Sequence, residues 1–415
     1  MNNSGIQFKS KRFRNYPIII LITTWMIVAV NFATHTGWQG GFGQIIGSDF
    51  ITLYSAGLLY QNDIQHLYDL NTQEAVQQSL IEPTQLSGVN PFISPPYVAL
   101  AYSFFTALPI FPAFITWSVI SILMICLAIP LLLRLVPEKS EGIKIPWIRM
   151  LIIILSFFPF LIGWQVGQNH TLTLLLITAI LVSLFKNQSV LAGALAGFLI
   201  YKPQFAIGFL IVWLVWREYR ALISFGCISA IWIAISLLHF GIPPYQQYFQ
   251  ISPLLLNLPY VDGFPGYLLV TIYGFLATLL PSITAPILLN LVYPIMIICG
   301  AGLALIAFSY RNRSLSERIP VIILAVLYPF LATPYVLFHD LLVLFPVFIL
   351  WQQIPKSQSY FNFSVVLFYL GGLILPTSAY FLQVAIMAII PLVVLYGIIN
   401  TLRNPIPTLP NDIGN

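Results

Sequence analysis

Apolar residues run along this chain in long blocks separated by short polar turns, as in residues 17–33, 284–308 and 379–399. At about 1.5 Å per residue, helices of that length approach or exceed the roughly 30 Å hydrocarbon core of a bilayer. Shorter apolar segments pair across polar turns: 147–163 with 171–185, 189–201 with 204–216, 319–332 with 336–351, and 361–375 with 379–399. Residues 221–238 form a further span. In residues 92–133, Pro95, Pro96, Pro109 and Pro112 predict a helix at or partly within the outer leaflet, followed by one full span. Residues 264–280 read in the same way as a partial segment before the 284–308 span. The pattern predicts an all-α polytopic membrane protein with roughly twelve transmembrane helices, in a range of about 10–13, plus partial or re-entrant helices. A single domain covers residues 1–415, with two polar outer loops: 34–91, which carries amphipathic helices, and 239–263.

Composition agrees with that pattern. Hydrophobic residues make up 59% of the chain and charged residues 7%, far outside the range of soluble globular domains. Lys9, Lys11, Arg12 and Arg14 before the first apolar block resemble a signal peptide. No small-residue cleavage site follows, so an uncleaved first span is expected. Cys126, Cys227 and Cys299 all sit inside apolar spans and read as packing residues. No CxxC, zinc-type or P-loop spacing occurs.

Charge adds the topology. Sixteen of the seventeen Lys and Arg residues fall in loops that can share one side: Lys9–Arg14, then Arg134, Lys139, Lys144 and Arg149, then Lys186, Arg217 and Arg220, then Arg311, Arg313 and Arg318, and finally Lys356 and Arg403. The positive-inside rule makes that side cytoplasmic. Asp49, Asp63, Asp69, Glu74, Glu82, Asp262 and Asp340 fall in the opposite loops. Lys202 is the one cation left on the outer side. Its flanking segments, about 13 residues each, are too short to cross fully, so a hairpin with Lys202 below the outer surface is expected. A lysine near the bilayer centre costs about 2.5–3.5 kcal/mol, which implies a wet cavity or an anionic partner. A single cation suits one phosphate group, whereas nucleic acid would require a basic patch, and there is none.

Other polar residues carry two readings each. Asp49 is either the N-cap of the following amphipathic stretch or a general base held at the membrane surface. Gln165, Gln168, Asn169 and His170 form a polar turn that either caps helices or binds a ligand. His339 and Asp340 open a span as an interfacial cap or a substrate-binding couple. His66, Asp69 and His239 read as interfacial residues. Tyrosines such as Tyr54, Tyr60, Tyr68, Tyr97, Tyr245 and Tyr248 fit an aromatic belt and equally a surface for stacking sugar rings.

Several segments resemble one family. Asp49-Phe50 followed by Tyr54-Ser55-Ala56-Gly57 and Leu67-Tyr68-Asp69 is similar to its opening pattern of Asp-aromatic, Tyr-x-Ala and Tyr-Asp. Asn90-Pro91-Phe92-Ile93-Ser94-Pro95-Pro96 resembles its F-x-Y-P-P segment, with Ser94 in the aromatic position. Gly167-Gln168-Asn169, with His170 in the place of the usual asparagine, resembles G-Q-x-N. The run from Ala192-Gly193 through Gly197 to Lys202-Pro203-Gln204 resembles A-G-x-x-x-G-x-x-x-x-x-K-P-Q, and Ala332-Thr333-Pro334 with His339-Asp340 resembles the late S-P…H-D turn. Together they resemble glycosyltransferase family 87, of the GT-C fold, over nearly the whole chain.

That resemblance implies transfer of a hexose, often mannose, from a polyprenyl-phosphate donor to a lipid or glycan acceptor outside the cytoplasm. It implies a multi-pass protein of a bacterial plasma membrane with both termini cytoplasmic. It also implies roles: Asp49 as the catalytic base, Lys202 and Gln204 at the donor phosphate, and Tyr54, Tyr68, Asp69, Gln168, Asn169, His170, His339 and Asp340 around the substrates. Neither a cofactor nor a metal is expected, because the outer acids lack ligand-like spacing. The competing class is a transporter or lipid flippase, which would carry ionisable residues in mid-span and a repeat relating its halves.

Overall fold

The computed structural model describes residues 11–86, 88–136, 145–261, 264–280, 285–354 and 358–403. Lys9, Lys139, Lys144, Asp262 and Lys356 of the charge pattern lie outside them, as does Thr284 at the start of its apolar block. Among the described residues the fold is helical, with no β-structure beyond isolated bridges. The first half comprises α1 (Lys11–Ala33), α2 (Ser48–Asn62), α3 (Leu70–Ile81), α4 (Pro96–Ser103), α5 (Ile110–Arg134), α6 (Trp147–Leu155), α7 (Phe158–Val166), α8 (His170–Phe185) and α9 (Ser189–Gly197). The second comprises α10 (Gln204–Trp216), α11 (Tyr219–Phe240), α12 (Pro243–Ile251), α13 (Leu254–Asn257), α14 (Ile272–Leu279), α15 (Ala285–Tyr310), α16 (Ile319–Ala332), α17 (Leu344–Trp351), α18 (Gln358–Leu382) and α19 (Ile389–Arg403).

Among the described residues, five helices are long and apolar enough to cross a membrane: α5, α11, α15 and most of α1 and α18. The pair α6–α7 would add a sixth span, bent by 67°. Pro159 opens α7, and the Ser156 hydroxyl donates back to the carbonyl of Ile152, so the backbone ladder is broken where the bend falls. The sequence pattern predicts roughly twelve spans. The difference lies in six apolar helices of 10–17 residues, shorter than the ~20 residues of a straight crossing. Helices α4 and α14 have eight residues each, as expected for the partial segments before α5 and α15.

Two expectations are corrected. The turn placed at residues 376–378 does not form, because α18 runs through Pro376 to Leu382. The chain turns instead at Gln383, whose φ of 54° is left-handed, and re-forms at a short 3-10 turn, Ile386–Ala388. A proline in an apolar helix forfeits one hydrogen bond, and packed neighbours tolerate the loss. The segments flanking Lys202 also do not pack chiefly on each other. Helix α9 lies against α11 and α8, and α10 lies against α16 and α15.

Packing explains which elements sit at the centre. Every residue of α17 is buried, and in α16 all but Leu331 are. They form the middle of a core that also takes in α5, α8 and α10. Long helices such as α11 and α15 expose apolar side chains, among them Leu238 and Leu305, as lipid-facing helices do. A second apolar cluster joins α2, α4 and the start of α5 through Phe50, Tyr102, Phe114 and Trp117. The candidate site lies between these two clusters.

Candidate active site

Asp49 lies in the first turn of α2. The helix is entered from Gly47, which adopts φ 70°, and no side chain caps it. The N-cap reading of Asp49 is therefore not realised. Its carboxylate turns towards two amides: Gln168 Nε2 donates to Oδ2 at 2.7 Å, and Asn90 Nδ2 donates to Oδ1 at 2.9 Å. Burial pushes the Asp49 carboxyl above its ordinary value of 3.8, opposed by these two hydrogen bonds and by Lys202, while Asp340 adds to the rise.

Two glycines bring Gln168 to that carboxylate. Gly47 donates its N–H to the Gln165 carbonyl at 2.9 Å. Gly167 ends α7 with φ 77° and lies so close to α2 that a Cβ there would stand 2.5 Å from that of Phe50. Only glycine meets both demands without strain. We expect Gly167→Ala to cost about 1–3 kcal/mol of stability. Because Gln168 would move with the turn, any activity of the site should fall further than the lost folded fraction explains. Thermal unfolding in detergent, set beside turnover at low temperature, separates the two.

Asp49, Asn90, Gln168, Asn169, Lys202 and Gln204 line one cavity of about 200 Å³. Lys202 follows the 3-10 turn Phe198–Tyr201, and its ammonium donates to Asp340 Oδ1 at 2.7 Å. The pair is well buried, with the side chains 14% and 3% exposed. His339 Nε2 stands 3.8 Å from the other oxygen of Asp340, and the His170 ring lies 5.6 Å from that of His339. His170 Nε2 faces the Phe160 carbonyl at 3.2 Å, so that nitrogen carries the proton. Among the described residues, His170 Nδ1 and Asn169 Oδ1 are buried without a hydrogen-bond partner.

A second cavity, about 260 Å³, adjoins the first and shares Asn169 and Tyr201 with it. The rest of its lining is almost wholly apolar, including Ala101, Leu172, Phe198 and Trp232. Phe198 is itself 42% exposed, so the cavity reaches the apolar flank of the molecule.

Of the remaining candidates, Tyr248 lines the polar cavity and Tyr97 the apolar one; the others lie elsewhere. Tyr54 donates to the Leu108 carbonyl and Tyr68 to that of Ser94, both at 2.7 Å, and neither lines the cavity. Asp69 is the N-cap of α3, accepting from the Thr72 hydroxyl at 2.7 Å and the Thr72 N–H at 2.8 Å, which together hold its carboxyl below the ordinary value. His66 is exposed beside Asp63, which raises its pKa, and His239 stacks near Tyr60. His170, His339 and Asp340 stand behind the lysine and do not line the cavity. Sequence reasoning missed Asn90, Tyr201 and Tyr335 as lining residues. A Lys-Pro-Gln turn flanked by tyrosine was the available signal for Tyr201, whereas nothing local marks the other two.

A buried carboxylate gripped by two amides, sharing a cavity with a lysine inside an apolar helical body, equips a membrane-embedded protein for catalysis. The model of glycosyltransferase family 87 matches residues 92–334, more than half of the chain. The chain belongs to glycosyltransferase family 87, and it is a membrane glycosyltransferase on that footing. Gln168, Asn169, Lys202 and Gln204 fall inside the matched segment, and Asp49 precedes it. No curated protein and no solved structure matches the chain.

Proposed function

We propose that this protein transfers a hexose such as mannose from a polyprenyl-phosphate donor to a hydroxyl of a lipid or glycan acceptor, with inversion. The observation that carries the reading is the adjacency of the two cavities. A polar chamber with one carboxylate and one lysine shares Asn169 and Tyr201 in its lining with an apolar slot, and a sugar–phosphate on a hydrocarbon chain has that same division. Asp49 takes the proton of the acceptor hydroxyl as its oxygen attacks the anomeric carbon. The bond from that carbon to the phosphate oxygen breaks, and polyprenyl phosphate leaves with the electron pair. Lys202 and Gln204 stabilise the charge that grows on the leaving phosphate, and Gln168 and Asn169 orient the sugar.

The GT-C-like arrangement of about twelve spans belongs to the same proposal. Support comes from the short helices α4 and α14 and the broken pair α6–α7. The grouping of cations on one side of the chain supports a site outside the cytoplasm of a bacterial plasma membrane, with both termini inside.

The test supplies radiolabelled polyprenyl-phosphate mannose to purified protein in lipid, with membrane extract as the source of acceptors. Label should move from donor to acceptor. In Ala101→Trp, a larger ring fills the apolar slot. The KM for a long-chain donor should then rise about tenfold, the equivalent of roughly 1.4 kcal/mol of binding, while a short-chain donor analogue is unaffected. Equal effects on both donors would remove the slot from the reading. A donor that binds and is never consumed would indicate another sugar or a lipid-handling function.

A further inference from the structure

Residues 90–95, just before α4, have no regular structure of their own, yet the backbone of residues 90 and 92 is tightly held. Gln77 Oε1 accepts the Asn90 N–H at 3.1 Å, and Gln77 Nε2 donates to the Asn90 carbonyl at 2.8 Å. One helical turn earlier, Gln73 treats Phe92 in the same way, accepting its N–H at 2.7 Å and donating to its carbonyl at 3.3 Å. These two side chains on one face of α3 thus pair with residues 90 and 92 as a neighbouring strand would. Both glutamines are fully buried, at 0% and 1% exposure. Burying a carboxamide is costly unless its polar atoms are satisfied, and here the segment's backbone satisfies them.

That segment delivers one side chain to a charged group. Asn90 Nδ2 donates to Asp49 Oδ1 at 2.9 Å, and the Thr52 hydroxyl, further along α2, donates to the Asn90 carbonyl at 3.1 Å. Asn90 is therefore fixed from both α3 and α2. With Gln168 on the other oxygen, each oxygen of Asp49 holds one donor and keeps lone-pair capacity for an incoming proton.

We propose that Asn90, gripped by Gln77, is a positioning residue that holds one oxygen of Asp49 in the orientation transfer requires. The proposal rests on the reading of Asp49 as the base. The titratable groups acting on Asp49 are Lys202, Asp340, Tyr102 and Tyr335; Asn90 and Gln168 are its hydrogen-bond donors and do not titrate.

Asn90→Leu removes the donor and keeps similar bulk. A hydrogen bond to a charged group is of the size that moves a pKa by about one to two units. The acid limb of the pH–rate profile for polyprenyl-phosphate mannose consumption should move to higher pH by that amount. The donor KM should stay near that of wild type. Gln77→Met, which loosens the grip and keeps the donor, should shift the limb the same way by less. Infrared titration of the protein in nanodiscs, following the carboxylic acid band that Asp49→Asn removes, reads the same shift with no substrate present. Uniform loss of activity at every pH with an unmoved infrared titration would overturn the proposal while leaving Asp49 as the base. Undiminished transfer by Asp49→Asn would overturn the base itself and the role of Asn90 with it.

Discussion

Asp49→Asn is expected to lower transfer by about 10²- to 10⁴-fold, the usual contribution of a positioned general base, while the protein stays folded. The amide has the shape of the carboxyl, and its oxygen still accepts from one of the two donors. Its nitrogen faces the other donor, so one hydrogen bond is lost. Against that loss, a buried charge is removed. The wild-type carboxyl is raised by burial, so keeping it ionised at neutral pH works against the fold. The sign follows: stability from a raised carboxyl is present below its unfolded value and is lost as pH rises through the folded one. Asp49→Asn should therefore flatten the fall in stability across that range. For catalysis the sign reverses, because the base works only when ionised. Wild-type turnover should climb with pH along a limb lying above 3.8, and that limb should be absent from any residual activity of Asp49→Asn. Donor consumption measured across pH on both proteins tests this. Wild-type rates with a wild-type profile in the variant would remove Asp49 from the chemistry.

Much of this was legible in the sequence because membrane helices declare themselves locally. An apolar block of 20 or more residues has few alternatives in a bilayer, and α5 and α15 lie where their blocks predict. The proline clusters marked α4 as a short element for an equally local reason. Asp49, Gln168 and Lys202 stand out in the sequence as polar residues beside apolar spans, Gln204 enters with the Lys-Pro-Gln resemblance, and one cavity gathers all four. What was not legible depends on partners distant in sequence. Gln73 and Gln77 look like the wet face of an amphipathic helix, and only residues 90 and 92 make them interior. Tyr54 and Tyr68 carry the composition of a sugar platform, but their hydroxyls are taken by backbone carbonyls. Asp69 repeats the lesson from the other side. Its carboxylate caps α3 and lines no part of the cavity. The turn at residues 376–378 failed because a proline does not by itself end an apolar helix, and α18 continues through Pro376 to Leu382.

Lys202→Met is expected to fail in two ways that a second substitution can separate. Lys202 and Asp340 form a buried pair at 2.7 Å. Removing one partner of such a pair leaves an uncompensated charge, at a cost of about 3–5 kcal/mol. Lys202→Met alone should therefore lose both transfer and much of its stability, and by itself says little about phosphate. Adding Asp340→Asn removes the stranded carboxylate. The double variant should recover most of the lost stability, because an apolar chain beside a neutral amide needs no counter-ion, although the amide must still find a hydrogen bond. Transfer should not recover. On the proposed reading the lysine acts beyond the pair, on the phosphate that departs with the electron pair, and no other Lys or Arg lines the cavity among the described residues. Thermal unfolding and donor consumption measured on the single variants and the double variant close the cycle. Recovery of stability without transfer assigns Lys202 to the leaving group. Recovery of both would make the pair purely structural, and the phosphate would then need another partner in the cavity.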